Sequence, residues 1–244
     1  MRVTNQMMST TYLKDLNKNL NNLNTLNKQL TTGKEISKPS DNPFKTARIM
    51  QMYSDISANK QYNENIKDTI NWLDTTDVAL EQIGNSAQRI RELMVSAGNA
   101  SYGSDEKNAL KEEINEKINE IAQVLNTNYD GKYIFGGTKG LSKPVGVEKD
   151  SNGNNILVFK DDNGNSFNEE GKAYIKNADG TITRDANGNL AVEANPKPEY
   201  EKLLNQMNAN LSVEVSNGVN MNYNVGTPSI LTLKNGNDVM KLLN

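Results

Sequence analysis

Between Ile49 and Ala97 apolar residues fall at helical spacing: Ile49, Met52, Ile56, Ile66, Ile70 and Leu73, then Leu80, Ile83, Ala87, Ile90, Met94 and Ala97. The spacing is near-heptad, with a phase shift between the halves, and predicts one very long helix. Upstream, Leu13, Leu16, Leu20, Leu23 and Leu30 form a narrow stripe, with Leu26 displaced by one position and Asn27 standing where the seam would continue. A narrow stripe requires another helix against it. The intervening Asn, Lys and Thr are weak helix formers or solvated, so this first helix depends on docking to hold its shape. Downstream, Leu110, Ile114, Ile118, Ile121 and Leu125 define a further amphipathic helix, returning antiparallel after the break at Gly98 and the SYGSD segment.

The stretch TTGKEISKPSDNPF separates the first two helices. Gly33 ends one, Pro39 and Pro43 prevent continuation, and Ser40 or Asp41 is placed to cap the next, with Pro43 in its first turn. After Asn126 the character changes. Tyr133, Ile134 and Phe135 read as a strand, and Asn152-Gly153, Asn163-Gly164, Asp179-Gly180 and Asn187-Gly188 are hairpin-turn signals. They flank strand-like runs at Ile156 to Lys160 and Leu190 to Glu193; Leu211 to Val215 and Ile230 to Leu233 add further strands, and Pro196 and Pro198 mark a loop. From Asp238, DVMKLLN reads as the first turns of another helix, capped by Asn237 or Asp238.

The expected fold is α+β: a long antiparallel α-helical stalk carrying an inserted small β-rich domain. Its parts are a terminal helix and linker over 1–40, a helical hairpin over 41–140, the β-rich domain over 141–233, and a return to helix over 234–244. With a helix beginning at that point, the expectation is that a carboxy-terminal helical partner is missing from this chain.

Composition narrows the function. Hydrophobic residues are 35% and aromatics 6%, so much of the chain is surface or intersubunit contact. A net charge of −3 gives no general attraction to nucleic acid or anionic membrane. With no Cys and no His, thiolate- and imidazole-based zinc sites and catalytic triads are excluded. No apolar run approaches the roughly 20 residues of a membrane span, and the first residues contain no secretory h-region. No cofactor or metal is expected.

Other features read as structure. DSNGN, DDNGN and DANGN carry oxygens suited to calcium, but the glycine comes too early and no glutamate closes a twelve-residue loop, so they read as turns. Glu112, Glu113, Glu116 and Glu120 share a helix with interspersed lysines, as on a solvated face. GGTKG at 136–140 lacks phosphate-loop spacing and reads as a flexible exit from a strand. Arg2, Lys14, Lys18 and Lys28 against Asp15 make the first helix locally basic, again as a solvated face.

QLTTGKEISKPSDNPF at 29–44, the long helix after it, SAQRIRELMVSAGNAS at 86–101 and NTNYDGKYIFGGT at 126–138 together resemble, in order and spacing, the amino-terminal half of flagellins and hook-associated proteins. The PSDNP and YIFGG segments are closer to the hook-associated junction subunits of that family than to flagellin. The likeness covers roughly residues 1–140. It implies a structural subunit of the bacterial flagellum, outside the cell, without enzymatic activity. It also implies export unfolded through the flagellar type III apparatus, and folding on incorporation. The partners it implies are copies of the chain itself, a neighbouring hook-associated protein, flagellin, and an export chaperone where the carboxy terminus is present.

On that reading Leu13, Leu16, Leu20, Leu23 and Leu30 pack between subunits, each buried leucine contributing on the order of 1.5 to 3 kcal/mol. Arg89, Arg91 and Glu92 lie in the block resembling the region used for packing along the fibre; the plain alternative is an exposed Arg89–Glu92 pair on one helix. The rival identities are flagellin itself and, from another class, a calcium-dependent adhesion module.

Overall fold

A computed structural model describes residues 5–36, 38–98, 103–185 and 188–232. The chain divides into two units, 1–61 and 62–244. The first contains α1 (Asn5–Thr32) and the start of α2 (Pro43–Ala97). Gly33 ends α1 with a positive φ of 65°, its N–H donating to the Gln29 carbonyl at 2.8 Å. The cap of α2 is neither Ser40 nor Asp41. Asn42 takes that place, accepting from the Lys45 N–H through Oδ1 at 3.0 Å, while Asp41 Oδ2 is turned back to the Lys38 N–H.

In the second unit α2 buries Thr69, Trp72, Thr76, Ala79, Ile83, Ser86, Ile90 and Leu93, a regular heptad run. Ile70, Leu73 and Met94, expected on the same face, are exposed. The phase shift in the sequence thus joins two adjacent stripes one residue apart, of which only one is covered. The cover is α3 (Ser104–Leu125), whose Ile118, Ile121, Ala122 and Leu125 are buried. Ser86 donates to Glu120 at 3.0 Å and Arg89 to Glu113 at 2.7 Å, so pairing advances along α2 as it retreats along α3 and the two are antiparallel.

Past α3 a two-residue turn links β1 (Asn128–Tyr129) to β2 (Lys132–Tyr133). Asp130 and Gly131 both have positive φ, 50° and 76°, as a type I′ hairpin requires. Tyr133 alone of the YIF run is strand; Ile134–Gly136 is a 3₁₀ turn. An antiparallel sheet follows in the order β3 (Val145–Lys149), β4 (Asn155–Lys160), β5 (Ser166–Phe167), with Val145 opposite Phe159 and Phe159 opposite Phe167. Central β4 is buried on both faces. Leu157 and Phe159 join the core built on α2 and α3, while Ile156 and Val158 join a second cluster with Tyr174 and Ile182.

That second cluster is enclosed by a short repeat. Turns begin at Asn168, Asn177 and Asp185, each closed by a glycine three residues on whose N–H returns to the carbonyl of the first residue. Behind the turns, Ile175 N–H donates to Ala191, Ala191 to Thr183 and Thr183 to Ile175, at 2.8 to 3.0 Å, closing a triangle of backbone hydrogen bonds. Leu190 to Glu193, expected as a strand, therefore pairs only through single bridges at Leu190 and Val192.

Three further expectations are corrected. Pro198 does not mark a loop but opens α4 (Pro198–Met207), where a first-turn proline sacrifices no hydrogen bond. After the hairpin of β6 (Ser212–Ser216) and β7 (Val219–Asn222), Pro228 likewise starts α5 (Thr227–Leu231) in place of the strand expected from Ile230. The glycines after Phe135 are no flexible exit. A Cβ on Gly137 (φ 58°) would lie 2.4 Å from the Met207 carbonyl oxygen, and Thr138 donates to Gln206 through N–H and Oγ1, each at 2.9 Å. The motif is a seat for the end of α4. The helix expected from Asp238 lies outside the described residues.

Candidate assembly surfaces

α1 buries nothing. From Leu16 at 44% to Leu30 at 84%, with Leu13, Leu20 and Leu23 between, every leucine of the seam is exposed, and Leu26 with them. The threonines on this helix turn their hydroxyls onto carbonyls four residues back, as Thr10 to Gln6 at 2.7 Å and Thr31 to Asn27 at 2.8 Å. The threonine hydroxyls are thus satisfied within the helix, while the leucines stand exposed among solvated Asn and Lys. Where α1 ends, Gln29 Nε2 donates to the Glu35 carbonyl at 2.9 Å and Glu35 pairs with Lys45 at 3.0 Å, so the linker is tied to both helices.

The second unit has an apolar stripe of its own. Ile66, Ile70 and Leu73 on α2 are at least a third exposed and lie one residue out of phase with the buried heptad, roughly 100° around the helix. Leu80, in the same phase, is half-buried against the core.

The charged block behaves differently. Arg89 bridges to α3, donating to one Glu113 oxygen through Nε at 2.9 Å and an Nη at 2.7 Å, and reaches Glu92 at 3.5 Å. Hydrogen bonding to Glu113 holds its pKa above the ordinary value. Its role within this chain is to clasp two helices, which the i, i+3 spacing did not reveal because Glu113 is remote in sequence. Arg91 and Glu92 are exposed. Of the four glutamates expected on a solvated face, Glu113 and Glu120 are instead crossbraces; the Glu120 pKa is lowered by hydrogen bonds from Lys117 and Ser86.

Nor do the Asn/Asp turns offer free ligands. Asp150 Oδ1 accepts the N–H groups of Asn152 and Asn154 at 2.9 and 2.7 Å, and Oδ2 accepts Arg184 Nε at 2.7 Å. Burial opposes ionisation there, but the Asn154 N–H and Arg184 outweigh it and hold the carboxyl below its ordinary range. Asp161 repeats the pattern with Asn163 and Asn165. Among the described residues no group of three or more acidic side chains is placed to hold a metal, and no helix is long and apolar enough to cross a membrane.

Residues 3–140 match the family model described as the bacterial flagellin N-terminal helical region. Over 134 residues the chain is 29% identical to phase 1 flagellin of Salmonella naestved, covering 54% of this chain and 26% of that protein, and the figures for flagellin of Salmonella dublin are the same. The chain thus spans about a quarter of the length of these curated relatives. Among solved structures, a protein of Vibrio parahaemolyticus assigned as a flagellar hook-associated protein shares the fold, with a TM-score of 0.53 at 18% identity over 83% of this chain and 69% of that one. Flagellar hook-associated protein 3 of Legionella pneumophila aligns at a TM-score of 0.48 and 16% identity, over 75% and 41%.

Proposed function

Because the chain belongs to the family of the bacterial flagellin N-terminal helical region, we propose that it is a structural subunit of the flagellum, and specifically of the junction between hook and filament. The observation that carries the assembly role is α1, a helix of 28 residues that keeps its entire leucine seam exposed. An isolated helix of this composition is marginal in water, and burying the seam against neighbouring helices offsets the entropy of ordering it. Its work is mechanical rather than catalytic. Leu13, Leu16, Leu20, Leu23 and Leu30 form the intersubunit contact, and Ile66, Ile70 and Leu73 on α2 offer a second apolar face to another helix.

The partners on this reading are copies of the chain, a neighbouring hook-associated protein and flagellin, reached outside the cell after unfolded export through the flagellar type III apparatus, with an export chaperone as a further partner where the carboxy terminus is present. Assignment to the junction rather than the bulk filament rests on the PSDNP and YIFGG segments.

The test is complementation of a strain lacking its own junction protein, with the labelled protein followed by microscopy. A single labelled band between hook and filament, with swimming restored, is the expected result. Label along the whole filament would make the chain a flagellin, and export without any incorporation would remove the assembly role.

A further inference from the structure

On the second unit, away from the exposed stripe, lies a cleft of about 650 Å³ built by three elements. Trp72 and Asp68 come from α2, Tyr129, Asp130 and Lys132 from the β1–β2 hairpin, and Tyr223 from the segment after β7. Asp68 stands five residues before Leu73, about 140° around α2, so the cleft is no continuation of the apolar face. It has no part in the flagellar reading above and does not depend on it.

Three features define what it accepts. Trp72 is 93% buried, from its 7% exposure, with the Tyr129 and Tyr223 rings set edge-to-face against it at 80° and 89° and centroids 5.8 and 5.5 Å away. Asp68, Asp130 and Lys132 are exposed around this aromatic centre and make no ion pair or hydrogen bond to any described side chain, which leaves two negative charges against one positive. The tight hairpin turn, with Asp130 at φ 50° and Gly131 at 76°, fixes the Asp130 backbone beside the cleft.

We propose that this cleft binds an arginine side chain presented by a partner polypeptide. The excess negative charge selects a cation. A guanidinium serves it better than an ammonium, because a flat fork of donors can engage two carboxylates while lying against tyrosine rings. A sugar fits less well, because it carries no charge for the two carboxylates to hold.

Trp72 is the single tryptophan of the chain, so its emission reports on this cleft alone. The full chain is titrated with acetyl-Gly-Arg-Gly amide and, in parallel, with the same peptide carrying citrulline, the neutral counterpart of arginine. A saturable change in emission with the arginine peptide is expected, absent with citrulline and weakened about tenfold or more in Asp68→Asn and in Asp130→Asn. Asparagine tolerates the left-handed backbone at position 130, so the turn survives. Should a melt show Asp130→Asn to be poorly folded, Asp68→Asn, at an exposed helix position, decides alone. Equal responses to both peptides, titrations unchanged by Asp68→Asn, or no response to the arginine peptide would each overturn the proposal. A saturable response to maltotriose that ignores both substitutions would overturn it in favour of a sugar site.

Discussion

α1 and α3 are both amphipathic helices with apolar residues returning every three or four positions, yet α3 buries Ile118, Ile121, Ala122 and Leu125 and α1 buries nothing. The difference lies in what stands opposite. α3 has the heptad face of α2, crossbraced by Arg89–Glu113 and Ser86–Glu120, and runs into a core that continues through Phe135, Leu157 and Phe159. Periodicity states that a face is made to be covered; it does not state by which chain.

The comparison makes graded predictions. The largest effect is expected in the covered helix: Ile121→Ala or Leu125→Ala should each cost about 2 to 5 kcal/mol, read from the urea midpoint of the free chain, because neither void can be refilled by water or by neighbours already packed. A cost under about 1 kcal/mol would erase the contrast. Next comes Gly137→Ala, which strains a left-handed backbone and drives a methyl into the Met207 carbonyl; about 1 to 3 kcal/mol is expected, seen as a lowered Tm.

Acid should act on the covered unit too. Glu148, against the opposing effect of burial, is held below its ordinary 4.5 by Lys160 at 2.5 Å and Lys176 at 2.8 Å, and Asp150 lies below its ordinary 3.8. Groups with depressed folded pKa values stabilise fully above the unfolded values and lose that contribution as pH falls through the folded ones. The Tm followed by Trp72 emission should therefore hold above about pH 5 and fall progressively below about pH 4. A flat profile down to pH 2 would mean these pairs contribute nothing. The smallest effect per site is expected in α1, where the triple variant Leu16→Ala, Leu20→Ala, Leu23→Ala should change the stability of the free chain by less than about 0.5 kcal/mol per substitution while abolishing incorporation into flagella. A large loss of stability in the isolated chain would show that the seam is already in use.

Much of this was legible in sequence. The three long helices α1, α2 and α3, the breaks at Gly33 and Gly98, and the strand at Ile156 to Lys160 follow from local pattern, since each rests on neighbours within a few residues. The second stripe of α2 was merged with the first, because Leu73 and Trp72 differ only in which one meets Tyr129 and Tyr223, residues far along the chain. α4 and α5 were hidden by Pro198 and Pro228, whose ring ends a helix in one context and opens it in another. The aromatic cleft was not seen at all. Its walls, at Trp72, Tyr129 and Tyr223, are dozens of residues apart in sequence, and each alone is an ordinary aromatic or aspartate.

The triangle of backbone bonds joining Ile175, Thr183 and Ala191 bears on how this part of the molecule meets other chains. Each segment both gives and receives within the ring, so the repeat offers no row of unused donors to a second molecule at these positions. Strand-to-strand addition, the commonest route by which β structure spreads uncontrolled between molecules, has no starting rung there. The bonds that hold the repeat together thus also keep it from pairing with another chain at these positions.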